Sequence, residues 1–381
     1  MNYLFHAAPF VVFGEGSRFK VADYLKKWNA ESNVLLVHGK NVKASGLVDD
    51  IKDTLEKENF SVLTFDRVMP DAPVELIREA VAFARENSVH AIVAIGGGSA
   101  NDIAKAIAMM LDNEGDIMQY AGVDQFPHRR KNVLVAIPTT CGTGSEVTDG
   151  GVMYYAEAEK KISFWDAGAA PDIAILDPTL LEKLPKNLLA QTALDAMAHA
   201  AEGYTSVLAN PISDATALGA LEIICDNLPT AYTSNDMQTL GMMLTASTMA
   251  GMSFNRSTVH LGHALAHAIG AHTRMHHGAA CAFALPLVLK TQAEKIPDKV
   301  RRICEVMKFD VSADDAALGS AACAAMREFT AKYGVTRLRD FGVREEQLET
   351  ICKATMEERI IAISPRRIQE DELLAYLKEV Y

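Results

Sequence analysis

The first half of the chain alternates short apolar runs with amphipathic stretches, and this alternation restricts the fold more than any other feature. The runs "NVLLVH" (33–38) and "AIVAIGGGS" (91–99) have the length and composition of buried strands. The stretches 48–59 and 73–88 repeat their apolar residues at helical spacing. Strands interleaved with helices predict a mostly parallel sheet with helices on both faces, which is an α/β fold.

The pattern changes after about residue 185. Continuous β-branched runs disappear, and stretches rich in Ala, Leu and Met with helical spacing take their place up to the C-terminus. We therefore predict an α/β domain over residues 1–185 and an all-helical domain over residues 186–381.

Charge and cysteine usage exclude several classes of partner and environment. The formal net charge of -12 argues against nucleic acid and against an anionic membrane surface as partners. The first residues lack the basic and apolar regions of a signal peptide, and no run is apolar enough to span a bilayer. The six cysteines are scattered, which predicts reduced, mostly buried thiols in a cytoplasmic protein, all of them inert. They are Cys141, Cys225, Cys281, Cys304, Cys323 and Cys352.

Two glycine-rich loops follow predicted strands. In "AIGGGSANDIAKA" (94–106) a strand leads through three glycines into a helix, whose free N–H groups and positive dipole end suit a phosphate. The alternative is a tight strand-to-helix turn without a ligand. The stretch "PTTCGTGSEVTDGG" (138–151) also leaves a strand and is rich in hydroxyls and glycine. Because the carboxyl ends of parallel strands share one edge of the sheet, two such loops favour a dinucleotide.

The histidines predict a metal site. Six of the eleven lie between residues 260 and 277. Asp195 and His199 are spaced i, i+4, as are His263 and His267, so each pair projects from one helix face. We expect Gly270 to end the second of these helices and His277 to lie in the loop beyond it.

A divalent ion with open positions needs about three or four nitrogen or oxygen ligands on rigid elements. Asp195, His199, His263 and His277 would supply that set, and Fe²⁺ and Zn²⁺ fit it about equally. For a single histidine, the alternative is a core residue bonded to a carbonyl group. That interpretation is kept for His260, His272 and His276, which at most line the pocket.

These features together resemble the metal-dependent, iron-containing alcohol dehydrogenase family. The resemblance covers nearly the whole chain through "PFVVFGEGS", "GGGSAND", "PTTCGTGSEVT", "LDAMAHAAEGY", "GHALAHAIG" with "HHG", and "SPRRIQEDEL". It implies a Rossmann-like nucleotide-binding domain followed by a helical metal-binding and catalytic domain, an architecture shared with dehydroquinate synthase. Family members are often dimers or larger, so a homodimer or higher homo-oligomer is expected.

The resemblance also implies roles for individual residues. The same four residues would bind the metal, and His267 would lie beside the nicotinamide and the substrate, where it can help relay a proton. The remaining positions would contact the cofactor, and they are Asp71, Gly97, Gly98, Ser99, Asp102, Thr139, Thr140, Thr143 and Lys161.

Two departures from the family pattern bear on specificity. NAD-specific members carry an Asp where this chain has Gly39 followed by Lys40. A carboxylate there would repel a 2′-phosphate and glycine would not, so NAD and NADP are both expected to bind. In "FNRSTVHLGHAL", the chain has Arg256 and His260 where relatives have small residues.

An arginine near a metal-bound aldehyde would suit an anionic tail, with sulfoacetaldehyde and succinate semialdehyde as leading substrates. A solvent-facing or dimer-contact arginine is the alternative. The expected substrate-pocket residues are Gly150, Gly151, Phe254, Arg256 and His260.

The predicted function is therefore a metal-dependent, NAD(P)H-linked alcohol dehydrogenase or aldehyde reductase that acts on a short-chain aldehyde. A general short-chain primary alcohol or diol dehydrogenase is the alternative. A dehydroquinate synthase-like lyase is a more remote alternative, because "GGGSAND" and the histidine spacing favour the dehydrogenases.

Overall fold

A computed structural model describes residues 3–6, 9–158, 160–273, 275–310 and 314–381. The chain forms two compact units. The α/β unit comprises His6–Thr140 and Gly144–Lys183. The helical unit comprises Leu184–Tyr381 together with Cys141–Thr143 and the first few residues.

The α/β unit contains a parallel sheet with the strand order β1-β9-β6-β4-β2-β3. Its strands are β1 (Phe10–Phe13), β2 (Asn33–His38), β3 (Ser61–Phe65), β4 (Ala91–Gly96), β6 (Val133–Pro138) and β9 (Ile173–Leu176). Its helices are α1 (Val21–Lys27), α2 (Lys40–Ala44), α3 (Leu47–Lys57), α4 (Val74–Glu86) and α5 (Gly98–Met110). The predicted parallel α/β architecture is confirmed.

Strand β2 shows why both faces of the sheet are covered. Successive side chains of a strand point to opposite faces. Accordingly, Leu35 and Val37 belong to the apolar cluster that includes α4 and α5, whereas Val34 and Leu36 belong to the cluster that includes α1 and α3. All four side chains are fully buried. A continuous apolar run therefore supplies two hydrophobic cores at once.

A second, smaller sheet was not predicted from the sequence. It has the order β5-β8-β7, with β5 (Gly122–Val123), β7 (Gly150–Tyr155) and β8 (Lys160–Trp165). Strands β7 and β8 pair antiparallel, with Gly150 opposite Trp165 and Gly151 opposite Phe164. A Cβ atom on Gly150 would lie 2.5 Å from the Trp165 ring, and one on Gly151 would lie 2.4 Å from the Phe164 ring. The glycines therefore make room for two aromatic side chains.

The helical unit confirms the all-helical prediction for the second half. Its helices are α6 (Lys186–Thr205), α7 (Pro211–Thr233), α8 (Met237–Ser257), α9 (Leu261–Thr273), α10 (His277–Gln292), α11 (Pro297–Val306), α12 (Asp315–Ala331), α13 (Leu348–Glu357) and α14 (Glu370–Val380). Among the residues that the structure describes, no helix is long and apolar enough to cross a membrane.

Two expected helix ends are wrong. Helix α9 continues past Gly270 to Thr273, and His277 is the first residue of α10 rather than part of a loop. A glycine inside a helix costs only about 1 kcal/mol, which the burial of residues such as Leu265 and Ile269 on the same helix offsets.

Candidate functional site

Three helices of the helical unit bring ionisable side chains together. Helix α6 carries Asp195 and His199, α9 carries His263, and α10 begins at His277. A Cβ atom at Gly278 would lie 2.1 Å from the backbone oxygen of Gln191. Only glycine fits this close approach, so residue 278 lets the start of α10 lie directly against α6.

Three of the four predicted metal ligands surround a carboxylate oxygen of the fourth, Asp195. The Oδ1 atom of Asp195 lies 3.8 Å from Nδ1 of His199. The same oxygen lies 3.7 Å from Nε2 of His263 and 3.7 Å from Nε2 of His277. Asp195, His199 and His263 are at most 6% exposed, and His277 is partly exposed. The arrangement is thus a buried carboxylate faced by three imidazoles.

The chemistry of these atoms fits a divalent ion. Asp195 Oδ1 and His199 Nδ1 are buried and have no hydrogen-bond partner among the described residues. Such burial is costly unless another group satisfies these atoms. Burial alone would raise the pKa of Asp195, but the surrounding imidazoles outweigh it and lower this pKa overall. Burial lowers the pKa of His199 to about 4, so its ring is neutral and keeps a lone pair for a metal.

A buried carboxylate that was not predicted from the sequence supports this centre. Glu202 accepts hydrogen bonds from the backbone N–H groups of His260, Gly262 and His263, at 2.7–3.0 Å. It also lies 2.6 Å from Nδ1 of His263. A proton on Nδ1 leaves the lone pair of Nε2, on the side of the ring that faces Asp195, free to bind a metal ion. The signal in the sequence is the spacing of seven residues from Asp195, which places Glu202 on the same helix face.

Charge keeps Glu202 ionised despite its burial. Burial alone would raise its pKa, but His263, His260 and the N–H donors lower the pKa to about 2. The carboxylate therefore remains an acceptor for all of its donors at neutral pH.

A thiol also lies among the proposed ligands. Cys281 Sγ is 3.6 Å from Nε2 of His277 and 3.8 Å from Nε2 of His263. Its side chain is fully buried, and this burial raises the pKa of the thiol to about 12. The donor atoms of Asp195, His263, His277 and Cys281 all lie within 4.8 Å of one another. Cys281 is one helical turn after His277, a spacing that is informative only once His277 is known to be helical.

The other histidines have different surroundings. The ring of His267 stacks on that of His277, with centroids 5.6 Å apart, and its Nδ1 lies 3.6 Å from Oε1 of Glu358. His260 is fully buried, and its ring nitrogens lie 2.9 Å from Thr205 Oγ1 and 3.3 Å from Ser364 Oγ. His260 therefore has a packing role inside the helical unit, whereas His267 lies beside the candidate metal ligands.

The predicted substrate residues belong to both units. Phe254 stacks on His199, with centroids 4.2 Å apart. Arg256 lies in the last turn of α8 and is partly buried. Gly150 and Gly151 belong to the α/β unit, where the aromatic rings of β8 already explain their small size. Phe254 thus directly contacts a proposed ligand.

The predicted phosphate-binding turn joins β4 to α5. Gly96 has a φ of 157°, and a Cβ atom there would lie 2.8 Å from Cβ of Ala100. Gly97 occupies the N-cap position, so no side chain caps the first N–H groups of the helix. Gly98 and Ser99 follow in its first turn and are partly exposed. A helix start of this kind suits an anion, and phosphate binding at this turn stays a prediction.

The two glycine-rich loops meet within the α/β unit. Thr139 N donates to the carbonyl oxygen of Gly96 at 3.1 Å, and Thr140 Oγ1 would lie 3.1 Å from a Cβ atom at Gly97. Asp102 is linked to the second loop through Ser145, whose Oγ donates to its carboxylate at 3.0 Å. Thr143 belongs to the short segment grouped with the helical unit.

A buried lysine, also not predicted, holds the second loop. Lys105 Nζ donates to Ser145 Oγ, Thr148 Oγ1 and the Gly150 carbonyl, at 2.7–3.0 Å. Burial lowers the pKa of Lys105 to about 8, although nearby carboxylates oppose this effect. A charged residue within the apolar helix of "NDIAKAIAMM" was the available signal.

The remaining predicted cofactor residues occupy loops and a strand of the same unit. Asp71 has a φ of 64°, and its Oδ1 lies 2.8 Å from Lys161 Nζ. Gly39 follows β2 and precedes α2, whose first residue, Lys40, is exposed. A Cβ atom at Gly39 would meet Val68 O only at 3.4 Å. The position therefore has nearly enough room for a side chain, and the absence of a carboxylate there is not imposed by packing.

Comparison with known proteins covers almost the entire chain. A family model for iron-containing alcohol dehydrogenase matches residues 8–178, and one for the C-terminal part of the Fe-containing alcohol dehydrogenase family matches residues 189–381. Alcohol dehydrogenase 4 of Saccharomyces cerevisiae is 31% identical, covering 99% of this chain and 98% of its own length. An NAD-dependent methanol dehydrogenase of Bacillus methanolicus is 30% identical, covering 98% of each chain. The crystal structure of a 1,3-propanediol oxidoreductase is 30% identical, with a TM-score of 0.94 and complete coverage of both chains.

Proposed function

Because this chain belongs to the iron-containing alcohol dehydrogenase family, we propose that it reduces a short-chain aldehyde with NAD(P)H at a divalent metal. Membership makes it an oxidoreductase that acts on small alcohols or aldehydes, and it implies NAD(H) and iron or another divalent ion. The observation that carries the metal-dependent part is the buried Oδ1 atom of Asp195, which faces three imidazoles and accepts no hydrogen bond from any residue that the structure describes.

Asp195, His199, His263 and His277 would hold the ion. When bound, it supplies Lewis-acid polarisation of a carbonyl oxygen. Glu202 fixes the orientation and the tautomer of His263. His267 stacks beside the ligands and has Glu358 at its other side, which supports a role in passing a proton between substrate and solvent.

The α/β unit would bind the dinucleotide. The first-turn N–H groups after Gly97 are suited to the pyrophosphate, and Lys105 and Ser145 keep the neighbouring loop and Asp102 in place. Gly39 and Lys40 present no carboxylate to a 2′-phosphate. We therefore propose that both NADH and NADPH are accepted.

Arg256 supports a substrate with an anionic tail. It lies two residues after Phe254, which packs on the proposed ligand His199. A guanidinium group pairs well with a carboxylate or a sulfonate. Sulfoacetaldehyde and succinate semialdehyde are the substrates that we propose first. The second candidate substrate is an uncharged primary alcohol or diol. It is supported by the relatives named for methanol and for 1,3-propanediol.

The test combines activity with metal content. Purified protein should consume reduced nicotinamide in the presence of short aldehydes, lose this activity on chelation, and regain it with Fe²⁺ or Zn²⁺. Asp195→Ala should abolish both turnover and bound metal in elemental analysis while circular dichroism stays unchanged. Asp214→Ala, a carboxylate paired with Lys299 elsewhere in the helical unit, is the control. Full metal occupancy in the Asp195 variant would show that the ligand set is wrong.

A further inference from the structure

Cys281 lies among the proposed metal ligands, although no sulfur donor was expected there. It is fully buried and follows His277 by four residues on α10. Its Sγ atom faces the Nε2 atoms of both His277 and His263. These are the ring nitrogens that also lie near Asp195 Oδ1.

The spacing of the sulfur matches shared coordination. A tetrahedral ion with metal–nitrogen bonds of about 2.0–2.1 Å and a metal–sulfur bond of about 2.3 Å places the two donors about 3.6 Å apart. The observed separations from Cys281 Sγ are 3.6 and 3.8 Å. The thiol therefore lies where a ligand of the same ion would lie, without movement of α10.

An independent observation indicates that this cluster takes a cation. Asp195 is 3% exposed and His199 is 6% exposed. Within the part of the chain that the structure describes, neither Asp195 Oδ1 nor His199 Nδ1 has a hydrogen-bond partner. Cys281 is within 4.8 Å of the Asp195 donor atom. The sulfur thus shares a pocket with unsatisfied polar atoms rather than an apolar cavity.

We propose that Cys281 is a ligand of the metal and gives this centre a mixed nitrogen, oxygen and sulfur donor set. The proposal rests on the metal site of the proposed function. When the ion binds, the thiol releases its proton to solvent and the thiolate forms the bond to the ion. With His199, the set holds five candidate donors. A tetrahedral ion uses four of them, and expansion to five ligands leaves a position for a substrate oxygen.

A thiolate changes which ions the centre prefers. Soft sulfur donors favour zinc, cobalt and iron over magnesium and manganese, which prefer oxygen ligands. Zn²⁺ should therefore be retained in the presence of excess Mn²⁺. Removal of the thiol should weaken zinc binding by at least roughly ten-fold, since even partners outside the ligand shell contribute 10- to 100-fold. Manganese binding should change little.

Cobalt spectroscopy tests the bond directly. Metal-free protein is reconstituted with Co²⁺, and its near-ultraviolet and visible absorbance is recorded for wild type, Cys281→Ser and Cys304→Ser. Cys304 is another buried thiol, on α11, and serves as the matched control. Wild type and the control should show a sulfur-to-cobalt charge-transfer band together with visible ligand-field bands. Cys281→Ser should lose the charge-transfer band and keep the ligand-field bands.

Each outcome decides the proposal. A charge-transfer band that persists in Cys281→Ser overturns the proposal. A wild-type spectrum with ligand-field bands alone also overturns it, and this measurement does not depend on the folding of any variant. If the band behaves as expected but no aldehyde consumes reduced nicotinamide, sulfur ligation stands and the proposed function fails.

Discussion

At the scale of single residues, burial and the neighbouring histidines have opposite effects on the pKa of Asp195, and their balance characterises the candidate centre. Burial disfavours the charge of Asp195, and three imidazoles favour it more strongly. A buried carboxylate stays ionised only where positive charge or hydrogen-bond donors compensate its loss of hydration. The same reasoning distinguishes His199, which burial keeps neutral, from a histidine that serves as a surface charge.

Arg256 allows the substrate class to be tested with one substitution. A bidentate, charge-assisted contact is worth about 1.5–3 kcal/mol. Arg256→Ala should therefore lower kcat/KM for sulfoacetaldehyde or succinate semialdehyde roughly ten- to a hundred-fold and leave propanal nearly unaffected. Steady-state kinetics with the three aldehydes measure this. An equal loss of kcat/KM on all three aldehydes, or no loss on any of them, would show that Arg256 is a structural or surface charge. That result would favour the uncharged substrates.

Some residues of the site could be predicted from the sequence because their spacing is regular. Asp195 with His199 stood out as a pair of potential ligands on one helix face. The buried positions of Glu202 and Lys105 were not predicted, because isolated charged residues in helices normally face solvent. Their burial follows only from long-range partners such as the start of α9 and the Ser145 loop.

At the scale of elements, periodicity predicted most strands and helices of the α/β unit. It failed for the β7–β8 hairpin, whose first strand begins with two glycines that read as loop residues. The rings of Trp165 and Phe164 on the partner strand occupy the space where side chains at these two positions would lie, so glycine fits the strand here. The start of α10 was missed for a related reason, since the contact of Gly278 with Gln191 is set by packing between helices and not by local sequence.

Glu202 connects two elements, and its substitution should loosen the metal without unfolding the unit. It lies on α6 and accepts the N–H groups at the start of α9. Glu202→Gln keeps the shape but removes the charge and one acceptor, so His263 loses its fixed tautomer. Metal affinity, measured by competition with a chelator, should fall roughly 10- to 100-fold.

Glu294→Gln is the matched control for that measurement, because Glu294 is an exposed carboxylate of the same unit that pairs with Arg366. Wild-type metal affinity in Glu202→Gln would mean that the hydrogen bond to His263 Nδ1 does not position the ligand.

At the scale of the whole molecule, the two candidate sites belong to different units. The proposed metal donors all belong to the helical unit, and the glycine turn with its lysine network belongs to the α/β unit. The change in composition near residue 185 is enough to predict two units of different secondary structure. The pairing of distant segments, such as β1 with β9, could not be predicted in this way, because parallel strands carry no turn signal that links them.

This division predicts that metal and cofactor protect different parts of the chain. A ligand at a hundred times its Kd stabilises the state that binds it by about 2.7 kcal/mol, which corresponds to roughly a hundred-fold slower opening of the segments it holds. In hydrogen exchange followed by mass spectrometry, adding Zn²⁺ to metal-free protein should slow exchange in α6, α9 and α10. NADH should instead slow exchange from β4 into α5. Asp195→Ala should lose the response to Zn²⁺ and keep the response to NADH. A zinc response spread evenly over both units, or one that persists in Asp195→Ala, would place the ion outside the proposed centre.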